Sequence, residues 1–567
     1  MDDYYDLGAH GMPVTTDSPL AQLWFDRGLN WVYGYNHVEA VACFHKALEA
    51  DPACAMAWWG VAYASGPNYN LPWIKLDPVS RAKALAVSYD ASQEALARLE
   101  GVTQAEADLI RALSARYPQR DPIEDLQPWV DDFAAAMRAV SAAHPDHKDL
   151  RTIFAEALLN RTPWAMWQQA ERRPNPLADT LECQSVLEAG MAQPGGMAHP
   201  GLLHLYVHLM EMSPTPEKAL KAGDVLRHLV PDAGHLVHMP THIDVQCGAY
   251  HDALFWNQRA IAADLRYFDR EGGMNYYTGY RMHDYHFAIY GALFLGQMQP
   301  ALEALRGMEA TFPPELLLME SPPMAEYFEA YLAMEPHVLI RFGQWRELIA
   351  MAPPADPALR ATLHVTLLYG KALAHAALGE VEAALAGEEA FLAALGEMPL
   401  RRLHNNLVSD LMQIAREMLR GEILYRQQAY TAAFAHLREA VRLDDTLPYD
   451  EPWGWMQPAR HALGALLYEQ GHVAEAEAVY REDLGLAGDL PRGSIHPDNV
   501  WSLKGLHDCL EARGEQVERR LIRQKLDFAL ARADAGVAAS CACAQSAMLA
   551  SGQIKGPSCC AAQPAGE

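Results

Sequence analysis

The sequence predicts an all-α protein built as an array of helix–turn–helix units. Helical patterning recurs with a period of about 34 residues, and glycine turn signals recur where the first helix of a unit should end. No stretch shows the apolar–polar alternation typical of a strand. The chain has 567 residues, half of them hydrophobic. Because a single core stops growing at roughly 250–300 residues, this length also favours several domains or a repeat array.

The repeat is clearest in its first unit, which begins at Ala21 and reads AQLWFDRGLNWVYGYNHVEAVACFHKALEADPAC. Its fixed places hold aromatic residues, small residues and a final proline, namely Trp24, Gly28, Trp31, Ala40, Phe44, Ala47 and Pro52. Small residues let two helices approach closely, aromatic residues fill the space between them, and proline stops the second helix. The same spacing predicts unit starts near residues 21, 55, 200, 234, 282, 329, 365, 414, 457 and 500, with a weaker register at 329 and 365.

Turn signals support this register. A glycine stands where five of the first helices should end, at Gly248, Gly296, Gly343, Gly379 and Gly471. A small or aliphatic residue follows each one at the packing place, namely Ala253, Ala301, Leu348, Ala384 and Ala476. Glycine adopts the left-handed helix cap without a steric penalty, so each pair predicts a tight helical hairpin.

In these places the chain resembles a tetratricopeptide-repeat (TPR) protein over most of residues 21–533. The resemblance implies an α-solenoid whose first helices line a concave groove. The predicted organisation is an N-terminal segment (1–20), N-terminal repeats (21–84), a divergent helical region (85–199), histidine-rich repeats (200–315), C-terminal repeats (316–534) and a disordered tail (535–567). The segment GPNYNLPW at 66–73 interrupts a helix, which predicts a loop capping the groove.

The charge balance excludes several kinds of partner. The chain carries 45 Lys and Arg against 72 Asp and Glu, a net charge of −27. This excess repels phosphate backbones and anionic lipid headgroups, so we expect neither nucleic-acid binding nor membrane binding. The acidic start MDDYYD is no secretory signal and no long apolar run is present, which predicts a cytoplasmic protein. The motifs of nucleotide-binding, zincin and α/β-hydrolase enzymes are absent.

Histidine is gathered in one part of the chain. Ten of the 24 histidines lie between His199 and His286, where an even spread would place about four. Within α-helices, His204, His208 and Glu211 are spaced i, i+4, i+7, and His235, His238 and His242 are spaced i, i+3, i+7. Each trio therefore occupies a single helical face. The TPR resemblance implies that these residues, with His283, His286 and His337, point to one wall of the groove.

Clustered imidazoles with a carboxylate suit zinc, copper or iron. The predicted ligands are His204, His208, His235, His238 and His242, with Glu211 as ligand or general base and His283 or His286 as a further ligand or its support. The strings GGMAHPGLLHLYVHLMEMS and PDAGHLVHMPTHIDVQCGAY resemble a widespread bacterial TPR family with HPG, HxxxHxxE and HMPxHI motifs. Pro240 within HMPTHI predicts a kink that re-aims His238 and His242.

The tail contains two close cysteine pairs, Cys541 with Cys543 and Cys559 with Cys560. Paired thiolates can share a soft ion such as Cu(I) or Zn(II). Three functions therefore stay open: a metal-binding α-solenoid, with or without metal-dependent catalysis on a small molecule or peptide; a metal-free scaffold for protein partners; and copper or zinc storage or delivery through the tail.

Overall fold

Helices form nearly all the regular structure of this protein. The computed structural model describes residues 4–545, 548 and 552, and its contacts divide the chain into two units. The first unit is Met1–Tyr285 with Thr311–Met324 and Pro491–Gly493. The second is His286–Ala310, Ala325–Leu490 and Ser494–Glu567. The all-α prediction is confirmed for the described residues, apart from two hairpins of two-residue strands.

The first unit consists of helical hairpins packed in chain order. Its helices are α1 (Pro19–Tyr33), α2 (His37–Ala50), α3 (Ala55–Ser65), α4 (Pro78–Leu96), α5 (Gln104–Arg116), α6 (Gln127–Ala143), α7 (Lys148–Leu159), α8 (Thr180–Ala192), α9 (Pro200–Glu211), α10 (Leu220–Leu226), α11 (Gly234–His238), α12 (Thr241–Gln246), α13 (Tyr250–Glu271) and the start of α14 (Thr278–Leu295). Strand β1 (Trp167–Gln168) pairs antiparallel with β2 (Arg173–Pro174). Short 3-10 helices lie at Trp73–Lys75, Gly196–Ala198, Pro216–Ala219 and Pro314–Leu318.

The second unit repeats the hairpin pattern. After the end of α14 it contains α15 (Met298–Thr311), α16 (Met324–Phe328), α17 (Met334–Arg341), α18 (Trp345–Ala350), α19 (Ala361–Ala377), α20 (Val381–Gly396), α21 (Val408–Arg426), α22 (Tyr430–Asp445), α23 (Ala459–Glu469), α24 (Val473–Asp483), α25 (Val500–Arg513) and α26 (Gln516–Leu530). Strand β3 (Arg402–Leu403) pairs with β4 (Asn406–Leu407). Further 3-10 helices are Glu329–Ala333 and Arg492–Ser494.

The five predicted turn glycines all adopt the left-handed conformation. Their φ angles are 79° at Gly248, 72° at Gly296, 62° at Gly343, and 80° at both Gly379 and Gly471. The five packing residues that follow them have no exposed surface. The TPR-like hairpin is therefore confirmed by its own turns and packing.

Close helix packing in the first repeat also follows the sequence. A Cβ atom added to Gly28 of α1 would come within 2.6 Å of the Phe44 ring of α2, so only glycine fits there. Helix α1 begins cleanly because Ser18 caps it and Pro19 occupies its first position.

Proline and glycine interrupt the helices where predicted. Helix α3 ends at Ser65, and a loop with one 3-10 turn separates it from α4. The helix around Pro240 is broken: α11 ends at His238 and α12 begins at Thr241. None of the described helices is both long enough and apolar enough to cross a bilayer.

The end of the chain is ordered further than the helical pattern indicates. After α26, residues 535–545 pack on the second unit, where Arg341 donates a hydrogen bond to the Ser540 carbonyl. The Ser540 hydroxyl donates to the His461 carbonyl at 2.7 Å, and Arg426 donates to the Cys543 carbonyl at 2.5 Å. The tail was predicted to be disordered, but its first eleven residues are packed. The carbonyls of Ser540 and Cys543 hold them in place by accepting hydrogen bonds from Arg341 and Arg426. Most of the remaining tail lies outside the described residues.

Candidate metal centre

Six histidines of the first unit come together. We call them the histidine cluster: His204 and His208 on α9, His235 and His238 on α11, His242 on α12, and His283 on α14. Five of the six side chains are at most 2% exposed, and His283 is partly exposed. The sequence predicted that these residues form one wall of a groove capped by a loop. The cluster is buried, because the loop after α3 and aromatic side chains lie against it.

Helix α9 is held in place by the residues of the HPG string. The His199 ring accepts a hydrogen bond from the Leu202 amide through Nδ1, at 3.2 Å, and so caps the helix. Its Nε2 donates to Asp149 Oδ1 at 3.0 Å. A Cβ atom on Gly201 would lie 2.7 Å from both Thr152 Cγ2 and Tyr33 Cδ1, so glycine lets α9 approach its neighbours closely. Together these residues position His204 and His208.

The first group of three, which we call the first triad, is His204, His208 and His235. Each offers a ring nitrogen, and the three nitrogens lie within 4.8 Å of one another. His204 Nδ1 donates to the Tyr33 carbonyl at 2.7 Å, so its Nε2 carries the lone pair. His204 Nε2, His208 Nε2 and both ring nitrogens of His235 are buried without a hydrogen-bond partner.

The second triad is His238, His242 and His283. Their donor nitrogens also lie within 4.8 Å of one another. The Nε2 atoms of His238 and His242 are 2.7 Å apart, and those of His242 and His283 are 3.3 Å apart. Nitrogens bound to one tetrahedral ion at about 2.05 Å are separated by about 3.3 Å, so this spacing is close to that of a metal site.

Hydrogen bonds fix the tautomers in the second triad. Asn257 donates its amide to the Ala253 carbonyl at 2.7 Å, so its oxygen is the atom that faces His238 Nδ1 at 2.6 Å. Asp284 Oδ1 lies 3.2 Å from the same Nδ1. His238 Nδ1 and His242 Nδ1, which faces a carboxylate, therefore both carry hydrogen. With Glu211 ionised, the Nε2 atoms are the nitrogens that both rings can offer to a metal ion.

Glu211 joins the two triads. This side chain has no exposed surface. Its Oε1 accepts from His208 Nδ1 at 2.9 Å, and its Oε2 accepts from His242 Nδ1 at 2.7 Å. A carboxylate behind a ligating imidazole fixes the ring and raises its basicity. Burial raises the pKa of the Glu211 carboxyl well above its usual range, and a cation bound by these imidazoles would favour the ionised form.

The first triad is held in the neutral form that binds metals. Burial, followed by repulsion from His208, puts the pKa of His204 well below its usual value. Burial and the surrounding imidazoles do the same for His235, and burial alone lowers the pKa of His208 to about 3. Neutral imidazole is the ligating species, so no proton must leave these rings near neutral pH.

Aromatic rings enclose the first triad. Ring centroids of Tyr35 and Tyr280 lie 5.5 and 4.7 Å from that of His235. Tyr69, from the loop after α3, lies 4.9 Å from the His208 ring. The predicted capping loop therefore contacts the cluster. Tyr35 and Tyr280 also line a cavity of about 490 Å³.

The other predicted site residues belong to the second unit. His286 belongs to the second unit, where its Nε2 is 3.0 Å from Met456 Sδ. His337 also belongs there, with its ring 5.2 Å from that of Trp455. In the tail, Cys541 and Cys543 form a disulfide with each other. Cys559 and Cys560 lie outside the described residues.

Several residues that support the cluster were not predicted from the sequence. Asn257 and Asp284 orient His238, and Tyr35 covers the first triad. Asp284 directly follows His283 in sequence, but a lone aspartate is a weak signal. Tyr35 has a φ of 56°, a conformation unusual for tyrosine that places its ring in the turn between α1 and α2.

Comparisons with known proteins add little. No protein-family model matches the chain, and no curated protein matches it. Among solved structures, human IFIT1 dimer is 10% identical with a TM-score of 0.31, covering 91% of this chain and 92% of that one. Yeast Tom70 is 13% identical with a TM-score of 0.27, covering 89% and 92%. The APC/C hetero-tetramer Cut9–Hcn1 is 12% identical with a TM-score of 0.29, covering 91% and 78%.

Likenesses this low carry no argument, so the TPR-like assignment depends on the turns and packing described above. The resemblance to a bacterial family with HPG and HMPxHI motifs stays a prediction.

Proposed function

We propose that this TPR-like protein is a metalloprotein whose histidine cluster binds a transition metal ion, copper, zinc or iron, for chemistry on a small molecule. The observation that supports it best is the 2.7 Å approach of His238 Nε2 to His242 Nε2, with both Nδ1 atoms facing acceptor oxygens. The Nε2 atoms of His238, His242 and His283 thus converge on one point at 2.7 and 3.3 Å. One metal ion can bind all three of these nitrogens.

The residues present fit such an ion. Three imidazoles, two of them here with oriented Nδ1–H groups, are a common set of protein ligands for a catalytic metal, which keeps a further position for water or substrate. Bound there, the ion supplies Lewis acidity and, for copper or iron, redox chemistry. Both Glu211 oxygens accept from imidazoles, so we assign Glu211 a positioning role rather than that of ligand or general base. The adjacent cavity of about 490 Å³ has the size of a small-molecule site.

Elemental analysis of protein purified without a histidine tag tests this proposal. We expect at least near-stoichiometric copper, zinc or iron in the unaltered protein, and a lower metal content in a His238→Gln/His242→Gln variant. A His228→Ala/His251→Ala variant is the matched control, because it removes two exposed histidines from the same region. Metal-free protein of normal stability would contradict the proposal.

A second candidate function is protein binding through the second unit. The chain's own residues 535–545 form hydrogen bonds to Arg341, Arg426 and His461, so this surface can hold a peptide segment. A chain ending at Asp534 should then bind a synthetic 535–545 peptide, as measured by fluorescence anisotropy. No binding by the shortened, folded chain would refute this function.

Metal handling by the tail is a third proposal, and it requires that a thiol reductant first reduces the Cys541–Cys543 disulfide to two thiols. It predicts metal that remains in the His238→Gln/His242→Gln variant but is lost when Cys541, Cys543, Cys559 and Cys560 are replaced by serine. Unchanged metal content in the serine variant would remove it.

A further inference from the structure

The first triad has a complete set of donors of its own. Four buried ring nitrogens of His204, His208 and His235 have no hydrogen-bond partner. Unsatisfied buried polar groups are rare in folded proteins because each one loses the hydrogen bonds it made to water. A water molecule beside these nitrogens would need further partners of its own, and the rings that lie against this triad are those of Tyr35, Tyr69, Trp164 and Tyr280. A cation with free coordination positions meets the need of the lone pairs directly.

A single ion cannot serve both triads. Within the first triad, ring centroids are 4.7, 5.0 and 6.1 Å apart, and within the second they are 4.7, 4.6 and 5.5 Å apart. Both sets suit one ion with about 2 Å bonds to ring nitrogens. Six imidazoles exceed the four ligands that zinc or copper usually takes, so at least two of the six rings could not bind a single ion.

The supporting residues are arranged for two ions as well. The second triad has its own anchors in Asn257 and Asp284, whereas the first has the Tyr33 carbonyl. Glu211 gives one oxygen to each triad, through His208 and His242. One buried carboxylate thereby balances positive charge on both sides, which is an economical way to hold two cations close together.

We propose that the cluster is a two-metal centre in which His204, His208 and His235 hold a second ion beside that of His238, His242 and His283. This inference rests on the proposed function and deepens it. Three neutral imidazoles without a direct carboxylate ligand suit Zn(II) or copper rather than calcium or magnesium. Tyr35 and Tyr280 contact His235 and line the cavity, so the first triad is the one nearer to a small-molecule ligand.

Metal stoichiometry tests this inference on the unaltered, full-length chain. Metal-free protein is titrated with Zn(II) in a calorimeter, and the bound zinc is then measured by elemental analysis after gel filtration. We expect two zinc ions per chain. One zinc ion would overturn the two-metal inference and leave the proposed function in place, whereas no bound zinc, copper or iron would overturn both.

Paired variants assign each ion to its triad. His204→Gln/His235→Gln and His238→Gln/His242→Gln should each retain one zinc ion, and the His228→Ala/His251→Ala control should retain two. Loss of both ions from a first-triad variant with an unaltered circular dichroism spectrum would contradict separate sites. If a variant does not fold, the unaltered chain loaded with Cu(II) tests whether two ions bind. Two Cu(II) ions held by the neighbouring triads couple magnetically, so an uncoupled EPR signal of full intensity would refute the two-metal centre.

Discussion

Replacing Glu211 with glutamine tests how the two triads are held. Glutamine keeps the shape of the side chain but has one acceptor oxygen and an amide that only donates. In the structure two imidazole N–H groups, from His208 and His242, donate to the two carboxylate oxygens at 2.9 and 2.7 Å. The variant can therefore satisfy only one of the two rings. The other ring must change tautomer, which puts hydrogen on the Nε2 atom that should bind metal.

The expected magnitude follows from this count. Loss of one supporting partner of a metal ligand lowers affinity about 10–100-fold, or about 1.4–2.8 kcal/mol. Glu211→Gln should show this loss at one triad. Glu211→Ala removes both acceptors, so its loss should be roughly the square of that factor.

Competition with a chromophoric zinc chelator measures the affinity, and circular dichroism checks the fold. Glu188→Gln is the control, since this exposed glutamate of the same unit accepts hydrogen bonds from Gln184 and Tyr206 and contacts neither triad. Unchanged affinity in Glu211→Gln, or equal losses in the glutamine and alanine variants, would refute the reasoning.

Three further predictions concern stability. Gly379→Ala should lower the free energy of unfolding by about 1 kcal/mol, because alanine is strained at the left-handed φ of 80° although its Cβ would meet open space. Gly396→Ala, where φ is ordinary and the space is also open, should cause no such loss, as measured by chemical denaturation. Burial lowers the pKa of His461 to about 4. Between pH 6.5 and 4 the unfolded chain therefore binds a proton that the folded chain does not, and stability should fall by up to about 3 kcal/mol, a slope that His461→Gln should reduce. A chain ending at Asp534 should unfold at lower temperature than one ending at Gly552, because buried Arg341 loses its acceptor; equal midpoints would contradict this.

The repeats were predictable because their signals are local. A turn glycine followed by a small residue specifies one hairpin without reference to distant parts of the chain, and all five such glycines have the predicted conformation. Pro240 is equally local, since a missing amide hydrogen breaks a helix whatever surrounds it. The short strands were missed because two residues are too few to show alternation.

The cluster was predictable as a set of residues but not as a geometry. Helical spacing places His235 and His238 on one face, yet the structure gives them to different triads. Which neighbour each ring meets depends on the break at Pro240 and on α14, and neither follows from spacing alone. The sequence predicted the capping loop at 66–73, but it did not predict that Tyr69 of this loop lies against the His208 ring.

The two triads imply that metal binding and folding of the first unit are linked. Unpartnered nitrogens of His204, His208 and His235 each cost about 1–3 kcal/mol, against a typical net stability of 5–15 kcal/mol. An ion that binds only the folded chain adds RT ln(1 + [L]/Kd), about 2.7 kcal/mol at a hundredfold excess over Kd. Zinc should therefore raise the unfolding midpoint of the metal-free protein in calorimetry, and the His204→Gln/His235→Gln variant should gain less. An unchanged midpoint at saturating zinc would mean that these nitrogens are satisfied without metal.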